Sequence, residues 1–267
     1  MNIKMIVTDL DRTLLNADKT MSVYSRDILT HCHEQGIKIV YATARPKRAV
    51  NQFALFESSA VDALILHNGA VIFIGGKLYT CFGIETKIRD SILRSMSQSF
   101  PAATLCVEME DVLYANHDVS KIWNETPATI TDFTDLPNKV ADKIIISSPV
   151  PLDMNLLAKF IPDGLYVETS SGENVSLELI MNRKATKWEA VKIVSAHYGI
   201  SASEIISFGD DFNDISMIKG CGVGVAVENA IDQVKAVADF ICDTNDNDGV
   251  AKWIEQNLLN AKADGGC

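Results

Sequence analysis

Basic residues are scarce. Against 35 Asp and Glu the chain sets only 24 Lys and Arg, a formal net charge of −11. A surface of that sign repels nucleic acid and anionic membranes, so neither is expected as a partner. It leaves room for an anionic small molecule, because a bound divalent cation and a few cationic side chains can set the field inside a cleft. Cysteine is sparse too. The six residues Cys32, Cys81, Cys106, Cys221, Cys242 and Cys267 are scattered, with no C-x-x-C pair. They read as reduced thiols in a cytoplasmic protein, not as a disulfide framework. No apolar run reaches the ~18 residues of a membrane span, and the chain arrives at Asp9 too soon for a signal peptide. Internal repeats and low-complexity tracts are missing as well. What remains is a chain of 267 residues, 47% hydrophobic, able to bury a substantial core as one large domain or two ordinary ones.

The stretch Asp9-Leu10-Asp11-Arg12-Thr13 organises the rest. It follows Met5-Ile6-Val7, a short β-branched apolar run that reads as a buried strand. The two carboxylates then lie at the strand's C-terminal end, where open α/β sheets bind ligands. Thr13 suits a turn that hydrogen-bonds its own backbone. Alone, the pattern is open between a solvated Asp-rich turn and chemistry that uses one carboxylate as nucleophile and another as proton carrier.

Further along, Ser22–Gln35 reads as a helix with a Ser N-cap and a Gly36 stop. Ile37–Ala42 is a second buried strand, Pro46 to about Phe56 a helix, and Ala63–Leu66 a third strand. Alternation of this kind predicts a parallel, doubly wound sheet. The rhythm then changes. Val71–Ile74 and Lys77–Thr80 flank a Gly75-Gly76 turn. Glu85–Ser99 reads as a helix, Thr104–Glu108 with Val112–Asn116 as a hairpin, and Lys143–Ser147 as a strand. Asp153–Phe160 reads as a helix, and Leu165–Thr169 with Ser176–Ile180 as paired strands. From Lys184 the α/β rhythm returns: helix 187–198, strand 205–208, strand 222–227, helix 229–236, strand 240–242 and helix 249–258. The division expected is 1–80 and 184–267 as one domain, with 81–183 as an inserted α+β module.

Gly209-Asp210-Asp211-Phe212-Asn213-Asp214 is the second acidic cluster, and it also follows an apolar strand. If the two strands are neighbours, Asp9 and Asp210 converge, and converging carboxylates need a cation to offset their repulsion. Carboxylates, a carbonyl and waters suit Mg²⁺. Thr43 ends a strand just before a helix, where it serves either as an N-cap or as part of a phosphate grip. Lys187 opens a helix against the macrodipole, where it is either a solvated lysine or a cation that binds an anion across a cleft.

With these motifs in order, the chain resembles the haloacid dehalogenase (HAD) superfamily phosphatases of the Cof type, subclass IIB. Asp9-Leu10-Asp11-Arg12-Thr13-Leu14 is similar to the first motif and Ala42-Thr43-Ala44-Arg45-Pro46 to the second. Lys187 within Ala185-Thr186-Lys187-Trp188-Glu189-Ala190 is similar to the third, and Gly209 to Asp214 to the fourth. Asn68-Gly69-Ala70, 224–230 and Asp248-Gly249-Val250 match habits of the same group. The resemblance implies a Rossmann-like core with a mostly parallel sheet, a C2-type cap inserted at 81–183, and a small phosphorylated substrate. It implies hydrolysis through an aspartyl-phosphate. Asp9 would be the nucleophile and Asp11 the proton donor and later base. Thr43 and Asn213 would bind the phosphoryl group, and Lys187 would neutralise charge. Asp210 would hold Mg²⁺ with Asp9 and the Asp11 carbonyl, and Asp214 would orient a metal-bound water. Asp11 should then have a raised pKa, supplied by burial. Arg12 and Ala44 stand where the pattern has Gly. Arg12 is expected to point to solvent, the cap or the leaving group, and Arg45 to contact the cap or substrate. Glu110, His117 and Glu173 are cap candidates for substrate contact. A phosphomutase and a phospho-Asp receiver or binding module are the rival readings; a receiver would be about half as long and would lack the insertion.

Overall fold

The computed structural model describes residues 2–53, 61–120, 122, 127–171 and 176–260. In chain order the first elements are β1 (Met5–Thr8), α1 (Val23–Glu34), β2 (Lys38–Ala42), α2 (Lys47–Val50), β3 (Ala63–Leu66), β4 (Val71–Ile74) and β5 (Lys77–Cys81). Next come α3 (Thr86–Ser99), β6 (Thr104–Met109), β7 (Val112–Ala115), β8 (Ala128–Ile130), β9 (Lys143–Ser147), α4 (Met154–Ala158), β10 (Leu165–Ser171) and β11 (Ser176–Asn182). The last are α5 (Lys187–Tyr198), β12 (Ile205–Gly209), α6 (Ile215–Gly220), β13 (Val223–Val227), α7 (Asp232–Lys235), β14 (Phe240–Cys242) and α8 (Gly249–Ile254). The backbone divides into two compact units, residues 1–80 with 186–267, and residues 81–185.

The first unit is an α/β layer structure around a sheet of order β14-β13-β12-β1-β2-β3-β4-β5. The strands from β14 to β3 run parallel, and β4 turns back antiparallel on β3. Full burial of Met5, Ile6, Val7, Ile39, Val40, Ile205 and Ile206 matches the continuous apolar runs of strands covered on both faces. The chain leaves β1 toward β2 and β3 on one side and later returns to place β12 on the other. The switch in strand order therefore falls between β1 and β12.

Local chemistry explains the boundaries. Ser22 caps α1 by accepting from the Ser25 N–H at 2.9 Å, and Gly36 takes φ +84 just beyond its end. Gly75 and Gly76, at φ +55 and +75, supply the left-handed pair that a tight hairpin requires. Some expected helices are shorter. The helix after Pro46 ends at Val50; Asn51, Gln52 and Phe53 form a turn and bend, and only 54–56 of the predicted span lie outside the described residues. The helix predicted over 229–236 is reduced to α7.

The second unit is a sheet of order β10-β11-β9-β6-β7-β8. Its pairings are antiparallel except β7 with β8. Leu105, Val107, Ile144, Ile146 and Ile180 form its apolar face and cluster with Ile92, Leu93 and Met96 of α3 and Leu157 of α4. Strand β8 was not expected; three residues beside a proline carry no readable alternation. Arg89 is buried but satisfied, donating to the carbonyls of Pro137 and Lys139 at 2.9 and 2.7 Å.

Candidate active site

Thr8 lies opposite Phe208, and the Asp9 N–H donates to the Phe208 carbonyl at 3.0 Å. The pairing brings Asp9 and Asp210 out side by side at the C-terminal edge of the sheet, at the switch point where such sheets bind ligands. Asp9, Asp210 and Asp214 are all buried, at 6%, 3% and 0% exposure. One carboxylate oxygen of each lies within 4.8 Å of the others.

Helix α5 delivers the cation. Thr186 caps it, accepting from the Glu189 N–H at 3.2 Å. Its buried residues Lys187, Ala190, Val191, Val194 and Ser195 follow the i, i+3, i+4, i+7 stripe, so Lys187 shares the face that enters the core. Its ammonium donates to Asp9 Oδ1 at 2.7 Å and Asp214 Oδ1 at 2.6 Å. Burial works against that charge, but Asp214 and Asp9 outweigh it and hold the Lys187 pKa above its ordinary value. These carboxylates, not solvent, offset the unfavourable helix end.

The same lysine fixes Asp214. While one oxygen accepts from Lys187, the other accepts from the backbone N–H groups of Asp210 and Asp211 at 3.0 and 3.2 Å. Asp214 here braces Lys187 and the Asp210 loop, where the sequence reading had it turned toward a metal-bound water.

Around the single lysine the carboxylates remain in excess. Burial raises the Asp9 pKa well above its usual value; Lys187 opposes this, and Asp214, Asp210 and Asp11 add to it. Asp210 is pushed up to about 6 by burial and then by Asp214, against the Thr13 hydrogen bond and the charges of Lys187 and Arg12. Thr13 does not turn its hydroxyl back on its own backbone. It donates to Asp210 Oδ1 at 3.0 Å. Buried oxygen donors with uncompensated negative charge suit a hard divalent cation such as Mg²⁺.

Asp11 departs from expectation. Burial does push its pKa up, but the Arg45 hydrogen bonds and charge, with Lys19, carry it below the ordinary value. Arg45 Nε donates to Asp11 Oδ2 at 2.5 Å and Nη2 to Oδ1 at 2.7 Å, and Lys19 Nζ sits 3.1 Å from Oδ1. A two-pronged guanidinium on a carboxylate favours the ionised form. Arg45 thus has a definite partner within its own unit, which the sequence reading did not assign.

Thr43 is buried at the end of β2, and its hydroxyl oxygen accepts the Arg45 N–H at 3.2 Å. Asn213 donates its amide to Asn68 Oδ1 at 3.0 Å. Asn68 sits in a buried turn in which His67, Asn68 and Gly69 take φ +49, +56 and +106. Left-handed side-chain-bearing residues in succession are costly and cluster at functional sites. A Cβ on Gly69 would run into the Thr186 carbonyl oxygen, so the turn abuts the cap of the lysine helix. Arg12, also left-handed at φ +59, stays largely exposed to solvent, as one of the expectations had it, while its guanidinium reaches the Asn229 carbonyl and approaches Asp210. Asn68, Asn229, Thr13 and Lys19 were given no part in the site from sequence; Thr13, Asn68 and Asn229 stand within the motifs quoted above, and Lys19 alone gave no signal. In the second unit Glu110 pairs with exposed Lys139 at 2.8 Å, and His117 is exposed. Glu173 lies outside the described residues. The described cysteines, Cys32, Cys81, Cys106, Cys221 and Cys242, are free thiols. No helix among the described residues is long and apolar enough to cross a membrane.

Comparison with known proteins gives concordant results. A family model described as haloacid dehalogenase-like hydrolase matches residues 6–254. The chain is 26% identical to the 5-amino-6-(5-phospho-D-ribitylamino)uracil phosphatase YitU of Bacillus subtilis, over 94% of this chain and 96% of that one. It is 26% identical to the pyridoxal phosphate phosphatase YbhA of Escherichia coli, over 97% of this chain and all (100%) of that one. Among solved structures it resembles a HAD-superfamily phosphatase from Bacteroides thetaiotaomicron with a TM-score of 0.81, at 25% identity over 95% and 94% of the two chains.

Proposed function

The chain belongs to the haloacid dehalogenase-like hydrolases, and from that membership and the site we propose that it is a Mg²⁺-dependent phosphatase of small phosphorylated metabolites, such as sugar phosphates or similar monoesters. The observation that carries the reading is the convergence of the Asp9, Asp210 and Asp214 carboxylates at the switch point of the sheet, with buried Lys187 bonded to Asp9 and Asp214. The names of the relatives support the substrate class, since both describe phosphatases of small phosphorylated compounds.

Asp9 is the nucleophile; its carboxylate attacks phosphorus and becomes an aspartyl-phosphate. Lys187 spreads positive charge over the nucleophile and the transferring group. Thr43, with its hydroxyl hydrogen available, and the Asn213 amide orient the phosphoryl oxygens. Asp9, Asp210 and the Asp11 carbonyl are the donors that would hold Mg²⁺, which supplies the charge that lets an anionic carboxylate approach an anionic phosphate. Asp214 fixes Lys187 and the Asp210 loop. Asp11 works on both sides of the intermediate, giving a proton to the leaving oxygen and then taking one from water. Its pairing with Arg45 suits the second task. The first requires Arg45 to turn from Asp11, and an incoming phosphoryl group offers the guanidinium an anion of higher charge.

The test is phosphate release from p-nitrophenyl phosphate and a panel of sugar and nucleotide monophosphates, for wild type and Asp9→Asn, with Mg²⁺ and with EDTA. The reading requires release that needs Mg²⁺ and is lost in the variant. Phosphoryl return to substrate without release would indicate a mutase, and a long-lived phosphoprotein without turnover a signalling module.

A further inference from the structure

Arg12 occupies a backbone position that a side chain resists, φ +59, and it is held there from both ends. Asn229 Nδ2 donates to the Arg12 carbonyl at 2.7 Å, and Arg12 Nη2 donates to the Asn229 carbonyl at 3.3 Å. So anchored, the guanidinium places Nε 3.8 Å from Asp210 Oδ2. That is the oxygen Thr13 leaves unused, since its hydroxyl donates to Oδ1. The Arg12 side chain is 59% exposed while that of Asp210 is 4% exposed. A cation anchored through Asn229 therefore stands beside the buried carboxylate cluster, next to the Asp210 oxygen that Thr13 does not use.

We propose that Arg12 is a competing counter-charge on Asp210: it offsets the cluster's negative charge in the metal-free protein and thereby weakens Mg²⁺ binding there. The proposal rests on the Mg²⁺-phosphatase reading for the identity of the cation. Two cations drawn to one carboxylate repel each other, and at a half-exposed position this amounts to about three- to tenfold in affinity. An anion bound beside both relieves the repulsion, so metal and phosphoryl group favour each other's binding through this residue.

The experiment is calorimetric titration of Mg²⁺ into the metal-free full chain at low, fixed ionic strength, with and without inorganic phosphate. Wild type is compared with R12Q, R12K and R12G. R12Q and R12G should bind Mg²⁺ about three- to tenfold more tightly than wild type, R12K should stay near wild type, and phosphate should narrow the gap. The split between R12Q and R12K separates charge from backbone geometry, because both keep the Cβ; R12G, whose backbone suits the position, carries the measurement if R12Q folds poorly. Equal or weaker Mg²⁺ binding by R12Q and R12G overturns the proposal. Absence of phosphate release by a wild type that still binds Mg²⁺ defeats only the phosphatase reading. If neither wild type nor any variant binds Mg²⁺, both fall.

Discussion

Asp9 Oδ1 and Lys187 Nζ lie 2.7 Å apart across 178 residues of chain. The pair is buried, and Lys187 serves Asp214 in the same way at 2.6 Å. Removing the lysine leaves both carboxylates buried without their cation. Lys187→Met should lose phosphatase activity and about 3–5 kcal/mol of stability at pH 8. The loss should shrink at pH 5, where Asp9, whose pKa burial already raises, takes up a proton instead. Urea unfolding at the two pH values checks this; an equal loss at both would show that uncompensated charge is not the cause.

Arg45 and Asp11 are partly exposed, at 26% and 30% of their side chains, so screening leaves their pair worth about 1 kcal/mol or less. Its pH dependence has a defined sign. The folded pKa of Asp11 is lowered, so the stabilisation is complete above the unfolded value of about 3.9 and is lost as pH falls through the folded value. Arg45→Ala should remove that acid-side loss and, by letting the Asp11 pKa rise, move the alkaline limb of the kcat/KM profile upward, since Asp11 must carry a proton in the first step. Unfolding midpoints between pH 3 and 6 and a kcat/KM profile against pH measure the two effects. An unmoved limb would separate Arg45 from Asp11 in catalysis.

Gly69 combines φ +106 with a direct approach to the Thr186 backbone. Gly69→Ala must both strain the turn and push the cap of α5. We expect a loss of about 2–4 kcal/mol and a fall in kcat larger than Gly36→Ala produces. Gly36 is also left-handed, at φ +84, but nothing lies within 4 Å of a Cβ placed there. If the two variants behave alike, backbone strain alone accounts for the effect and contact with the lysine helix does not.

In the second unit, burial raises the Asp142 pKa to about 7, with Glu108 and Asp111 adding to it and Cys81 and Lys143 opposing it. A carboxyl whose folded pKa is raised holds its proton longer in the folded state, so stability falls as pH rises from about 4 through that value. Asp142→Asn should stabilise the protein by about 1–3 kcal/mol at pH 8 and by little at pH 4. Thermal unfolding at the two pH values decides; a gain that does not depend on pH would assign it to packing.

Much of the layout is legible along the chain because it depends on short-range patterns. Buried parallel strands need continuous apolar residues, and β1, β2, β3 and β12 show them. Helix α5 carries its own start in Thr186 and its own stop in Gly199, which takes φ +67. With strand ends located, the positions of Asp9, Thr43 and Asp210 at one edge follow from the direction of a parallel sheet. Segments with weak periodicity, such as β8 and the region around α7, were not readable in this way, because tertiary contacts outweigh propensity in pieces of three or four residues.

The sequence by itself determined which groups are present and which edge of the sheet they occupy. Tertiary structure alone decided whom each one meets. Whether Asp11 stands as acid or carboxylate depends on the guanidinium of Arg45, 34 residues away. Asp214 became a brace because Lys187 bonds one of its oxygens and two N–H groups the other. Arg12 became a counter-charge because Asn229, 217 residues distant, holds it beside Asp210. Charge and hydrogen bonding act over a few ångströms in a poorly screened interior, and such distances are set by the packing of the whole fold.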